Sequence, residues 1–168
     1  NLLLDRILGS RIEMLPFGLS GATARKLDAA VEEILGRIRG AGRAPYFIPA
    51  GGAVPAGCLG YLRATEETAH QARQKAADIG RVVLAVGTGG TIAGMILGID
   101  ALRLRWRVDG ISVLPEGVIE RSGIAPIGTL AREAGAMIGY EFDPGRVNWS
   151  VTYDWVGPDY GVLTSEAA

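Results

Sequence analysis

At 168 residues with 48% hydrophobic content, the chain is long enough to bury one substantial core and is neither disordered nor fibrous. Lys plus Arg is 17 and Asp plus Glu is 18, and the net charge of -1, with no basic stripe or like-charge run, argues against a nucleic-acid or anionic-membrane surface as the main partner. Cys58 and His70 are the only residues of their kinds, which excludes an internal disulfide and a Cys/His zinc site, and a reducing cytoplasm is the expected compartment.

The opening NLLLDRILGS has no basic n-region and carries an acid inside its apolar stretch, unlike a signal peptide. It reads instead as the end of a helix, with Leu3, Leu4, Ile7 and Leu8 on one face and Gly9 as the C-cap. RIEMLP alternates Ile12 and Met14 with polar neighbours, which predicts a short strand closed by Pro16. Leu27, Val31, Ile34, Leu35 and Ile38 then recur at helix spacing with Glu32 and Glu33 opposite, the pattern of an amphipathic surface helix. A brief strand is expected over Tyr46 to Ile48, followed by a Gly/Pro loop and an Ala-rich helix from about Leu59 to Asp78. No apolar run approaches the roughly 18 residues needed to span a bilayer.

The next unit is a strand from Val82 to Val86, the turn GTGGT, and a helix from about Thr91 to Leu102 that is apolar nearly all round and therefore buried. A strand over Ile111 to Leu114, a helix within IAPIGTLAREAGAMIG, and the period-two run Val147, Trp149, Val151, Tyr153 and Trp155 continue the alternation. Strands alternating with helices predict an α/β fold with a largely parallel sheet. There are no internal repeats.

The turn between Val86 and the buried helix is where chemistry concentrates. A strand that ends in glycines and feeds a helix aims several backbone N–H groups and the positive end of a helix dipole at one point. Glycine lets the backbone curl around a ligand, Thr88 and Thr91 add hydroxyl donors, and a phosphate suits the point. The turn taken alone is equally compatible with a tight connection carrying an N-cap threonine. A dinucleotide fingerprint starting at Gly87 would require glycine where the chain has Ile92, and a P-loop would require a Gly-Lys pair that is missing, so both are excluded.

Four segments, NLLLDRILGSRIEMLP, PYFIPAGG with GCLGY, VVLAVGTGGTIAG and GPDYGVLTSE, stand in an order and spacing that resembles the pyridoxal-phosphate enzymes of the 1-aminocyclopropane-1-carboxylate deaminase and D-cysteine desulfhydrase family. The resemblance covers nearly the whole chain. It implies a three-layer α/β fold of type II, like the tryptophan synthase β subunit. Residues 1–44 would be the end of a small inserted α/β domain and residues 45–168 the middle of the large cofactor-binding domain. It implies that Gly87, Thr88, Gly89, Gly90 and Thr91 hold the phosphate of pyridoxal 5'-phosphate, and that Tyr160 in GPDYG faces a small amino-acid substrate. A homodimeric cytoplasmic parent enzyme is implied as well, with no nucleic-acid or membrane partner and no metal. Where the family usually reads Gly-Gly-Ser, often followed by Asn or Ser, this chain has Ala53 and Val54, which puts any polar role of that loop in doubt. Cys58 is expected to be packed and His70 to be solvated.

The family's chemistry requires a lysine Schiff base, and the only lysines are Lys26 and Lys75. The segment TARKLDAAVEEIL superficially matches the family's lysine segment, but it places Thr23 at the Schiff-base position and lies on the wrong side of NLLLD. The chain therefore reads as an internal fragment of a longer enzyme, with the Schiff-base lysine and the partner of the pyridine nitrogen outside it. The implied reaction has an amino acid lose a proton beside the electron sink, eliminate a β-substituent or open a strained ring, and yield a keto acid and ammonia. Cyclopropane deaminases of the family tend to carry VTGST in this loop, and GTGGT is nearer the desulfhydrase form, so a D-cysteine desulfhydrase-like elimination releasing sulfide is expected. The alternatives are a 1-aminocyclopropane-1-carboxylate deaminase, an L-cysteate sulfo-lyase, or a non-catalytic phosphate- or nucleotide-binding module.

Overall fold

The computed structural model describes residues 2–16, 24–113, 127–155 and 161–165. Contacts divide the chain into two compact units, Asn1–Pro45 and Tyr46–Ala168. In the first unit, helix α1 (Leu2–Ile7) closes on Gly9 at φ +80°, and the N–H groups of Gly9 and Ser10 bond the carbonyls of Arg6 and Asp5. Its leucines are exposed among the described residues. Helix α2 (Ala24–Gly40) half-buries Leu27, Val31, Ile34, Leu35 and Ile38 and leaves Glu32 and Glu33 in solvent, as their spacing predicts. Residues 11–15 do not form the expected strand, because no neighbouring strand among the described residues offers them a ladder. Glu13 is ion-paired to Arg37 on α2 instead.

The second unit is built on a sheet of β1 (Arg81–Val86), β2 (Arg107–Ser112), β3 (Trp149–Trp155) and β4 (Gly161–Ser165), in that spatial order. The first three strands are parallel and β4 runs antiparallel to β3. Parallel neighbours need crossovers, supplied here by α4 (Gly90–Ala101) between β1 and β2 and by α5 (Ile127–Met137) between β2 and β3. Helix α3 (Pro55–Gln74) precedes β1 and packs on α4 and α5.

Helix α4 is the centre of the core. Ile92, Ala93, Ile96 and Leu97 are completely buried, alongside Val86, Val108, Leu130 and Ala134 from the strands and α5. Because side chains alternate along a strand, burial of Val86, Val108 and Val151 turns Val83, Ile111 and Val113 to the opposite face, where they are exposed. Among the described residues, helices cover one face of the sheet.

Four sequence expectations are corrected. Tyr46 to Ile48 belongs to no strand among the described residues, and all three side chains are exposed. Helix α3 starts at Pro55 rather than near Leu59, since proline at the first position of a helix lacks only an N–H that would be unpaired anyway. It ends at Gln74 because Ala76 takes φ +51° and turns the chain back onto the helix end. Strand β2 runs over Arg107–Ser112 rather than Ile111 to Leu114. Its polar start is held across the sheet: Asp109 accepts from Arg107 Nε at 2.7 Å and from Ser150 on β3 at 3.0 Å, and it pairs with Arg81 on β1 at 3.1 Å. The hydrogen bond from Arg107 holds the Asp109 carboxyl below the usual carboxylate range.

Glycines set the distance between α3 and α4. Gly90, Gly94 and Gly98 recur every four residues and so form one stripe along α4. A Cβ on Gly94 would strike the Cys58 carbonyl and stand 2.7 Å from Tyr61 Cβ, one on Gly98 would stand 2.8 Å from Thr65 Cβ, and one on Gly90 3.3 Å from Ala53 Cα. The partners rise in sequence as the glycines do, so α3 and α4 run parallel with their N-termini at the same end. On the sheet side, a Cβ on Gly110 of β2 would meet Val86 at 2.6 Å and Ile92 at 3.0 Å, so this bare position lets the first turn of α4 settle onto the strands.

The stripe is testable. Gly94→Ala should destabilise the second unit by about 3 kcal/mol, because a backbone carbonyl cannot yield, and Gly98→Ala by about 1 kcal/mol less, since it presses on a side chain. Gly60, on the same helix as Cys58 with open space around it, is the control: Gly60→Ala should stabilise by about 0.5–1 kcal/mol. Urea denaturation of the three variants checks the order; equal losses at Gly94 and Gly60 would contradict the packing.

Candidate functional site

At the carboxyl end of β1 the chain leaves the sheet at Val86, passes through Gly87 and Thr88, and enters α4 over Gly89, whose φ of +84° is open to glycine at little cost. A Cβ on Gly89 would also sit 3.0 Å from Ile127 Cγ1. Gly89 has no side chain with which to cap the helix, and helical geometry leaves the N–H groups of Gly90, Thr91 and Ile92 without partners inside α4. The first helical bond into this turn is donated by Ala93 to the Gly89 carbonyl.

These groups open onto a cleft of about 320 Å3 lined by Gly51, Tyr61, Ala85, Val86, Gly87, Thr88, Gly89, Thr91 and Ile92. Among the described residues, no acidic side chain lines it. The hydroxyls of Thr88 and Thr91 have no hydrogen-bond partner among the described residues. Unspent N–H donors, two hydroxyls and a helix N-terminus, with no opposing negative charge among the described residues, form a site complementary to an anion with several acceptor oxygens. The residues present therefore fit a phosphate group.

The structure brings Gly87, Thr88, Gly89 and Thr91 to the wall of one cleft, with Gly90 buried directly behind them against Ala53. Tyr160 lies outside the described residues. The loop before α3 contributes by shape: Gly51 and Gly52 both take positive φ, and a Cβ on Gly51 would overlap Thr88 Oγ1. Ala53 and Val54, which lack the polar groups usual in the family, thus sit in a loop that closes sterically on the Thr88 turn. Cys58 is fully buried, and burial pushes its thiol up to about 11, so it is neutral and shielded. His70 is exposed on α3, hydrogen-bonded to Gln74. Lys26 and Lys75 are both exposed. Gly51 and Tyr61 escaped the sequence reading. The glycine pair in PAGG was a visible signal for the first; Tyr61 offered none beyond its place in GCLGY.

A family model for pyridoxal-phosphate-dependent enzymes matches residues 1–168. Among curated proteins, the chain is 33% identical over all its 168 residues to one from Pyrococcus furiosus named "Putative 1-aminocyclopropane-1-carboxylate deaminase", of which it covers 48%. It is 34% identical to the protein of the same name from Pyrococcus horikoshii, again over the whole chain, covering 47% of it. A solved structure described as an ACC deaminase homologue superposes with a TM-score of 0.66 at 32% identity, over 89% of this chain and 42% of that one. The chain thus spans about half the length of the curated relatives it matches.

In the full-length protein, Gly89→Asp should abolish measurable binding of pyridoxal phosphate, because it adds bulk against Ile127 and a negative charge where a dianion would sit. Thr91→Ala should be milder, weakening binding by roughly 1.5–3 kcal/mol, the worth of one hydrogen bond to a charged group. Equilibrium dialysis measures both. An unchanged dissociation constant for Gly89→Asp would overturn the site.

Proposed function

This chain belongs to the family of pyridoxal-phosphate-dependent enzymes, and we propose that its strand–GTGGT–helix unit anchors the cofactor phosphate within an enzyme that eliminates a β-substituent from a small amino acid. One observation carries this reading: the cleft at the N-terminus of α4, where unspent N–H groups and two threonine hydroxyls converge with no partner for those hydroxyls and no acid in the wall among the described residues.

In this reading the N–H groups of Gly89, Gly90, Thr91 and Ile92 bind phosphate oxygens, and the Thr88 and Thr91 hydroxyls complete the cradle. The buried first turn of α4 holds those donors in place before the ligand arrives, so little ordering is left for binding to drive. When bound, the cofactor supplies an electron sink for negative charge at the substrate Cα. Tyr160 would orient the substrate through its hydroxyl. Neither lysine lies in the cleft wall. Lys75 caps α3 fourteen residues beyond Tyr61, which is roughly 20 Å of helix. Residues 1–44 would close a small domain and residues 45–168 would form the middle of a large one, in a homodimeric cytoplasmic enzyme.

For the substrate we favour D-cysteine, with a keto acid, ammonia and sulfide as products, because the loop carries Gly89-Gly90 rather than the Gly-Ser typical of cyclopropane deaminases. The names of the Pyrococcus relatives favour a second reading, 1-aminocyclopropane-1-carboxylate, whose strained ring would open at the same centre. L-Cysteate is a third substrate of the same elimination class.

Ammonia release by the full-length protein from these three compounds decides between them, with D-cysteine expected to be turned over fastest. Tyr160→Phe should lower kcat/KM by roughly tenfold or more while leaving cofactor affinity unchanged, since only one hydroxyl is lost. Preferred turnover of the cyclopropane would transfer the assignment to the second reading. Cofactor binding with no ammonia from any of them would leave a non-catalytic phosphate-binding module.

A further inference from the structure

The cleft has a wall that the phosphate loop does not supply. Tyr61 belongs to α3, yet it lines the same cleft as Thr88 and Thr91. Its placement is fixed from below: the bare Gly94 of α4 faces its Cβ, so the residue starts in direct contact with the α4 backbone. Its backbone is held as well, because the Tyr61 carbonyl accepts from Thr65 Oγ1 at 2.8 Å. The residue nevertheless remains 41% exposed, and its hydroxyl has no hydrogen-bond partner among the described residues.

Geometry says where that hydroxyl reaches. Side chains on a helix lean toward its N-terminus, and α3 and α4 run parallel, so the ring leans toward the N-terminal end of α4. Tyr61 sits level with Gly94, four residues or about 6 Å of helix from Gly90, and a tyrosine side chain spans about that rise. The ring can thus carry its hydroxyl from a rigid base to the level of the open N–H groups. A phenol is a good hydrogen-bond donor to an anion.

We infer that the Tyr61 hydroxyl is a further donor to the phosphate group held at the N-terminus of α4, supplied from the neighbouring helix; this rests on the phosphate-site reading above. It makes the site a two-helix clamp, with backbone donors from α4 and a side-chain donor from α3. The Gly90–Gly94–Gly98 stripe keeps the two in register.

The test compares pyridoxal phosphate with pyridoxal, which lacks the phosphate, on the full-length protein and on Tyr61→Phe, a substitution that keeps the ring and its packing. Dissociation constants are read by equilibrium dialysis, and melting of the ligand-free proteins confirms that the fold is unchanged. Tyr61→Phe should weaken pyridoxal phosphate roughly tenfold, the loss expected for one hydrogen bond to a charged group, and leave pyridoxal unaffected. An equal loss for both ligands would overturn the phosphate contact and leave a wall that only packs. No loss for either, while Gly89→Asp still abolishes pyridoxal phosphate binding, would overturn the role of Tyr61 and leave the loop standing. If the unsubstituted protein binds pyridoxal as tightly as pyridoxal phosphate, the phosphate site itself fails and the Tyr61 assignment with it.

Discussion

The close approach of α3 to α4 governs the second unit of this protein. Helices whose contact faces carry ordinary side chains pack with axes 8–10 Å apart. Here three glycines on one face of α4 leave α3 nothing to rest on but backbone, and the Cys58 carbonyl occupies the space a Cβ would take on Gly94. Three consequences meet at one end of the pair. The loop with Gly51 and Gly52 is drawn over the Thr88 turn, Ala53 packs against Gly90, and Tyr61 is brought to the cleft. The far end is tied separately, by the ion pair between Arg146 and the nearly buried Asp100 at 3.0 Å.

The same packing accounts for the polar character of an otherwise apolar element. Helix α4 is apolar nearly all round and packs against the sheet, α3 and α5, so most of it is buried and its first turn is one of the places that water reaches. Backbone N–H groups there are surrounded by low-dielectric material on their inner side and face a cleft that no carboxylate of the described residues lines. An anion in that cleft is stabilised by more than the same donors would provide in open solvent, because neighbouring water does less to screen them.

Much of this arrangement was legible in the sequence, for physical reasons that also mark its limits. The strand–GTGGT–helix unit announced itself because an apolar run, a glycine turn and an all-round apolar helix admit few other structures. The helix of residues 24–40 was legible because its apolar spacing is unbroken. The start of α3 was not: Gly57 and Gly60 lower helix propensity and read as loop, whereas in the fold Gly57 is needed because a Cβ there would strike the Gly52 carbonyl. The start of β2 was hidden because Arg107 and Asp109 look like loop residues until Arg81 and Ser150 appear beside them. Tyr46 to Ile48 has the composition of a strand but no paired neighbour, which composition alone cannot reveal. Gly51 and Tyr61 belong to the site only through the contact of α3 with α4, a long-range fact that no local pattern encodes.

Everything proposed for this site depends on the backbone N–H groups at the start of α4 binding phosphate. Nuclear magnetic resonance of the 15N-labelled full-length protein, titrated with inorganic phosphate, observes those groups individually. The amide protons of Gly89, Gly90, Thr91 and Ile92 should move downfield together with one saturating dissociation constant, while amides at the opposite end of α4, around Ala101, stay in place. Resonances at Gly89 to Ile92 that do not move, while amides elsewhere in the chain saturate with phosphate, would contradict it.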